Sequence, residues 1–170
     1  MRFLSSSFMR SFDNANPKLV YSEMFAPIRF LRVQALGAEL AFDAAGLCDV
    51  LELADNHAPV RFGRGLVMFY EGRIIPLVDY RSPSIRGTAL TGVQLVIANV
   101  QRCRFALAVD CMKEQVSVDY AEIDIPEGAL ADRCPPYLAG CIWRDGGKVY
   151  LVDLERLLGP AIRTYVNGCE

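Results

Sequence analysis

From residue 28 onward the chain is a succession of short apolar runs broken by turn formers. Residues 28–36 and 39–42 flank Gly37-Ala38, a hairpin signal, and Asp43 can cap one helical turn through Ala44-Ala45-Gly46. Residues 48–53 are strand-like, and 54–62, with Asn56, His57 and Pro59, read as a loop. Residues 66–70 and 73–78 flank Glu71-Gly72 as a second hairpin, and 93–100 and 103–109 flank Gln101-Arg102 as a third. Over residues 112–118 the alternation is regular: Met112, Glu114, Val116 and Val118 share one face, and Lys113, Gln115 and Ser117 the other. Residues 138–143 and 148–152 bracket Asp145-Gly146-Gly147. Asp153 then caps a short helix over 154–158, closed by Gly159-Pro160.

Eight or nine short strands with little helix predict an all-β barrel or sandwich, and closure into barrels removes exposed edges. An internal echo refines this. Glu71-Gly72 followed by Leu77-Val78-Asp79 matches Asp145-Gly146 followed by Leu151-Val152-Asp153 at the same spacing, with Gly65 and Gly140 each opening the strand that enters the turn. The echo predicts two related half-barrels.

Composition narrows the function classes. Lys+Arg number 18 and Asp+Glu 20 in 170 residues, a formal charge of −2, so the electrostatic footprint of a nucleic-acid binder is missing. With 52% hydrophobic residues the chain is too apolar for wholesale disorder, yet no apolar run approaches the roughly 18 residues of a membrane helix. Residues 1–26, polar and punctuated by Asn14, Asn16 and Pro17, read as a flexible tail. Cys48, Cys103, Cys111, Cys134, Cys141 and Cys169 show no disulfide framework and read as reduced, buried small hydrophobes of a cytoplasmic protein.

No catalytic constellation emerges, and the chain reads as a non-enzyme without metal or cofactor. His57 is the only histidine, lies among turn formers, and has no Gly-x-Ser-x-Gly elbow to serve. The cysteine pairs lack knuckle spacing for a metal, and Cys134 beside Pro135-Pro136 has no neighbouring base. Gly63-Arg64-Gly65 precedes a strand, which denies it the helix N-terminus of a phosphate loop. Asp79, Asp110 and Asp153 each follow an apolar strand, where an acid accepts backbone N–H groups of the next turn or caps a helix. A β-rich chain without catalytic residues points to protein binding, and Phe69, Tyr70, Tyr80, Tyr137, Trp143 and Tyr150 near turns are of the types enriched at interfaces.

The run Tyr70-Glu71-Gly72-Arg73-Ile74-Ile75-Pro76-Leu77-Val78-Asp79-Tyr80-Arg81 resembles the signature of CheW-like domains, where an Asn-Leu-Arg-Gly turn leads into a strand ending Pro-x-x-Asp-Leu-Arg. Gly46-Leu47-Cys48-Asp49-Val50-Leu51-Glu52 resembles the family's Val-x-Glu-Val block, and Phe105-Ala106-Leu107-Ala108-Val109-Asp110 its Gly-x-x-Val-Asp strand. Gly140-Cys141-Ile142-Trp143 through Val152-Asp153-Leu154-Glu155-Arg156-Leu157-Leu158 resembles its C-terminal ending. The resemblance covers residues 28–158. It implies two intertwined five-stranded, SH3-like β-barrels around a shared core, with a short C-terminal helix. The expected organisation is a tail over 1–26, the domain over 27–160 divided near residue 90, and a tail over 161–170.

The resemblance also implies a function: a cytoplasmic, non-enzymatic adaptor that couples chemoreceptor tips to a CheA-type histidine kinase, in chemotaxis or pilus motility. The expected partners are the kinase regulatory domain and the receptor's helical cytoplasmic tip, with no nucleic acid and no membrane insertion. Carried over by position, Asp49, Tyr70, Glu71 and Arg73 face a partner, while Gly72, Pro76, Asp79, Asp110, Gly140, Gly146 and Asp153 form the turn and strand-end framework. Two departures bear on this: Glu71 stands where the family has Arg, and Asp49 is one methylene shorter than the usual Glu. An anion at position 71 should repel an acidic contact. The alternative reading is a sensor module that binds a small molecule in a pocket between the barrels.

Overall fold

A computed structural model describes residues 26–53, 58–63, 65–86, 88–90, 92–127 and 133–167. The tail expected over 1–26 lies almost wholly outside the described residues, as do His57, Arg64 and Cys169. The described strands are β1 (Ile28–Ala35), β2 (Ala38–Asp43), β3 (Leu47–Glu52), β4 (Val60–Phe62), β5 (Gly65–Tyr70), β6 (Arg73–Asp79), β7 (Gln94–Val100), β8 (Cys103–Val109), β9 (Cys111–Val118), β10 (Leu138–Arg144) and β11 (Gly147–Val152). One α-helix, α1 (Leu154–Asn167), follows them.

Two sheets form, in the orders β10-β11-β2-β1-β9 and β3-β7-β8-β6-β5-β4. Each takes strands from both sides of residue 90, so a single division of the chain there does not separate them. Strands within residues 28–43 and 111–152 build one sheet, and strands within residues 47–109 build the other. This interleaving depends on long-range pairing, which local patterning does not encode.

The echoed segments fall on equivalent strands. β5–β6 and β10–β11 are hairpins, and in each the second strand runs parallel to a strand of another hairpin: Leu77 pairs with Ala106 on β8, and Leu151 with Ala41 on β2. Glu71 and Asp145 have φ of 46° and 51°, and Gly72 and Gly146 both have 75°. Two successive left-handed residues give the primed turn whose twist matches antiparallel strands. Gly72→Val places a β-branched residue at that φ, so chemical denaturation should show a loss of about 1–3 kcal/mol; an unchanged midpoint would refute the backbone assignment.

Alternation on these strands builds three apolar layers. Leu53, Met68, Ile75, Leu77, Leu95, Ile97, Ala106 and Ala108 fill the second sheet's concave side, while Phe30, Ala41, Val118, Ile123, Ile142, Val149 and Leu151 fill the first's. The opposite faces meet each other: Val33, Leu40 and Phe42 pack with Val96, Phe105, Leu107 and Val109, joined by Leu154, Leu157 and Leu158 of the helix. Gly140 is small because a Cβ there would sit 3.0 Å from both the Asp124 carbonyl and Ile123 Cγ2.

Both sheets curl. Asp49 on β3 and Tyr70 on β5 are four strand spacings apart, roughly 19 Å if the sheet were flat. Yet Tyr70 Oη donates to Asp49 Oδ2 at 2.9 Å. In the other sheet the chain beyond β9 reaches β10 through an antiparallel bridge between Asp124 and Cys141, with N–O distances of 2.8 and 2.9 Å. The architecture is two SH3-like barrels with their outer faces packed together.

Several expectations need correction. The 54–62 loop contains β4, which pairs Val60 with Val67 and makes the second sheet six-stranded; three residues are too few for alternation to show. The first turn is Leu36-Gly37, one residue earlier than expected, with φ of 55° and 77°. The helix does not close at Gly159-Pro160, so residues 161–167 are helix rather than tail. Pro160 removes one N–H donor, but Ala161, Ile162 and Tyr165 pack on the shared core and Tyr165 Oη donates to the Leu66 carbonyl at 2.5 Å. Tertiary packing carries the helix through the proline. Cysteines are not uniformly buried: Cys141 is, but Cys48, Cys103 and Cys111 are exposed and Cys134 is half-buried. The exposed ones sit at strand starts: Cys103 and Cys111 open β8 and β9, and Cys48 is the second residue of β3.

Candidate partner-binding site

Four elements bring side chains to one end of the second barrel. Asp49 lies opposite Ile97, Tyr70 opposite Arg73, and Arg104 two residues before Ala106 on β8. Ile97 and Ala106 belong to that barrel's interior, so strict alternation puts Asp49, Tyr70, Arg73 and Arg104 on the interior-facing parity. At the strand ends these positions ring the barrel mouth. The Glu71-Gly72 turn overhangs them.

The side chains form one network. Asp49 Oδ2 accepts from Tyr70 and Oδ1 from the Val50 amide at 2.8 Å. Arg104 Nη1 donates to Glu71 Oε2, and the Arg104 guanidinium sits over the Tyr70 ring, 5.9 Å from its centroid. Burial of the phenol, reinforced by the Asp49 hydrogen bond and the Asp49 and Glu71 charges, pushes the Tyr70 pKa up to about 12. Tyr70 therefore stays a hydrogen-bond donor at neutral pH. The Glu71 hydrogen bond and charge hold Arg104 above its ordinary range. Asp49, Tyr70 and Glu71 thus come together with Arg104, a residue the sequence reading did not single out. Its signal was present: a lone cation at alternate spacing from Ala106 and Ala108 in an apolar strand. Arg73, exposed on the same ring, makes no ion pair among the described residues.

The mouth of the first barrel carries a related network of different composition. Arg32 on β1, 3% exposed, donates to Glu39 at 2.6 Å, Glu114 at 2.5 Å and Asp145 at 2.7 Å. In both barrels the acid of the echoed turn reaches back to an arginine.

The framework residues spend their polar atoms on structure. Asp79 Oδ1 accepts from the Arg81 amide at 3.1 Å, Asp110 accepts from the Ser82 amide at 2.9 and 3.1 Å, and Asp153 accepts from the Arg156 amide at 3.1 Å in the first turn of α1. Pro76 lies opposite Val67 on β5. Phe69 and Trp143 are 59% and 58% exposed, at equivalent positions of the two hairpins, opposite Ile74 and Lys148. Tyr80, Tyr137 and Tyr150 instead pack against the shared core. A cleft of about 320 Å³ lies among Ile125, Cys134, Pro136 and Arg156, on the flank of the first barrel rather than between the barrels.

Two comparisons bear on this arrangement. A family model, the CheW-like domain, matches residues 29–161. The scaffolding protein TtCheW from Thermoanaerobacter tengcongensis is structurally similar, with a TM-score of 0.57 and 14% identity over 75% of this chain and 89% of that one. No curated protein matches the sequence. The chain belongs to the CheW-like domain family, a family of chemotaxis scaffold and adaptor domains.

Proposed function

We propose that the chain is a cytoplasmic, non-enzymatic adaptor that couples the cytoplasmic tips of chemoreceptors to the regulatory domain of a CheA-type histidine kinase, in a chemotaxis or pilus-motility array. The observation that carries the reading is the family match over residues 29–161, laid on two packed barrels. The polar chemistry agrees with it. The strand-end acids accept from backbone amides, and at the barrel mouths Glu71, Glu39, Glu114 and Asp145 accept from arginines while Asp49 accepts from Tyr70 and the Val50 amide. Among the described residues no helix is long and apolar enough to cross a membrane.

Asp49, Tyr70, Glu71 and Arg73 are proposed as part of the contact surface. The expected result is that the purified chain binds a kinase regulatory domain or a receptor tip fragment from its own genome in a calorimetric titration. No heat of binding with any of them, at concentrations reaching about 100 μM and hence Kd values typical of transient signalling contacts, overturns the reading.

A further inference from the structure

We propose that residues 1–12 of this chain dock as an amphipathic helix on the outer face of β4, β5 and β6, and cover it until a partner displaces them. The proposal concerns how the chain covers its own surface and does not rest on the adaptor reading. Register defines the face. Val60 lies opposite Val67, Val67 opposite Pro76 and Phe69 opposite Ile74, while the alternate residues Met68, Ile75 and Leu77 fill the barrel. The outward positions are therefore apolar, and Val60, Phe62, Phe69 and Ile74 are 64%, 59%, 59% and 71% exposed. An antiparallel strand with one face in water alternates apolar with polar, and β5 and β6 do not. A contiguous exposed patch of this kind marks a docking surface.

The fold indicates what kind of element fits. α1 already lies against one end of this face: Tyr165 fills the space outside Gly65 and donates to the Leu66 carbonyl at 2.5 Å. A second helix beside it continues that layer. The echoed hairpin differs at this point. Lys148 stands at the position of Ile74, with Nζ 5.5 Å from the Trp143 ring centroid, so a cation shields the aromatic there.

The chain itself carries a matching segment. Leu4, Phe8 and Phe12 recur at every fourth position with Met1 a turn before, which is one face of a helix, and Arg2, Ser6 and Arg10 fall on the other side. Phe3 and Met9 lie off the stripe, and Asp13-Asn14-Ala15-Asn16-Pro17 ends it. A helix of that length is marginal alone in water and needs an apolar surface to form. Residues 13–27 span roughly 50 Å when extended, against a radius of gyration of roughly 15 Å for a chain of this length, so the segment can reach the face. Tethering holds it at an effective concentration of roughly millimolar, so a weak contact fills the face ahead of a second copy or a free partner at micromolar concentration.

The test uses the full chain, with Leu4→Glu, with Ile74→Lys, and with both changes together. Trypsin cleavage after Arg10 is followed, together with the fluorescence of the dye ANS, which brightens on exposed apolar surface. Each single change should speed the cleavage about tenfold, and the pair no more than about twofold beyond either, because both break the same contact. The dye should brighten with Leu4→Glu, which uncovers the face, and dim again when Ile74→Lys is added. Melting temperatures should stay close to the parent's, since Ile74 is at the surface. If Ile74→Lys leaves cleavage after Arg10 within about twofold of the parent, residues 1–12 do not dock on this face and the proposal is overturned. It is overturned as well if light scattering shows a dimer of the parent that Ile74→Lys dissociates, since a second copy then covers the face. Neither result touches the adaptor reading, which is decided by the binding titration.

Discussion

Asp79→Ala should destabilise the protein by about 3–5 kcal/mol, because it strips the counter-charge from a guanidinium that water cannot reach. Arg81 is 3% exposed and grips both oxygens of Asp79, Nε to Oδ1 at 2.9 Å and Nη2 to Oδ2 at 2.8 Å. The same guanidinium donates to the Thr88 and Ala89 carbonyls at 3.2 Å, so the ion pair also pins the chain between β6 and β7. In a chain of this length that loss lowers the melting temperature by roughly 10 °C. Asp79→Leu combined with Arg81→Met should recover much of it, since removing both charges leaves no buried ion unpaired. A single Asp79→Ala variant within about 1 kcal/mol of the parent would show that the pair is incidental.

The hairpins were legible because their turns carry local chemistry. Glu71-Gly72 and Asp145-Gly146 need left-handed backbone, and glycine advertises it. The repetition of those turns with their following aspartates was legible as well, and it marks the true equivalence of β5–β6 with β10–β11. Three kinds of feature were not. β4 is too short to show a period. The helix beyond Pro160 is held by contacts of Ile162 and Tyr165 with partners distant in sequence, which outweigh a local breaker. The interleaving of strands from both ends of the chain follows from which apolar faces fit, and alternation reports only that each strand has such a face.

The network at the mouth of the second barrel was partly legible for the same reason. Asp49, Tyr70 and Glu71 lie in recognisable blocks, whereas Arg104 joins them only when β8 is laid beside β6 in the folded sheet. Read one position at a time, Glu71 is a charge reversal. In the fold it is one half of a pair, as Asp145 is at the other mouth.

That other mouth yields the second large effect. Arg32→Met should cost about 2–4 kcal/mol, somewhat below the cost of breaking a wholly buried pair, because Glu114 and Asp145 are 63% and 75% exposed and water screens them. Burial opposes the charge on Arg32, yet the hydrogen bonds it donates to Asp145 and Glu39 and the fields of Glu39 and Glu114 hold its pKa above the ordinary value. Burial likewise opposes the Glu39 carboxylate, and the hydrogen bonds and charges of Lys113 and Arg32 outweigh it, so the Glu39 pKa is lowered from 4.5. A carboxyl whose folded pKa lies below its unfolded one binds more protons when unfolded. Its stabilisation is complete above pH 4.5 and is lost as pH falls through the lowered folded value. Arg32→Met narrows that gap, leaving Lys113 as the cation on Glu39 at 2.7 Å. The stability difference between parent and variant should therefore be widest above pH 4.5 and shrink toward acid, as followed by urea unfolding across that range. A difference that stays constant with pH would mean that Arg32 acts by packing its alkyl stem alone, and that the barrel mouth is closed by shape rather than by charge.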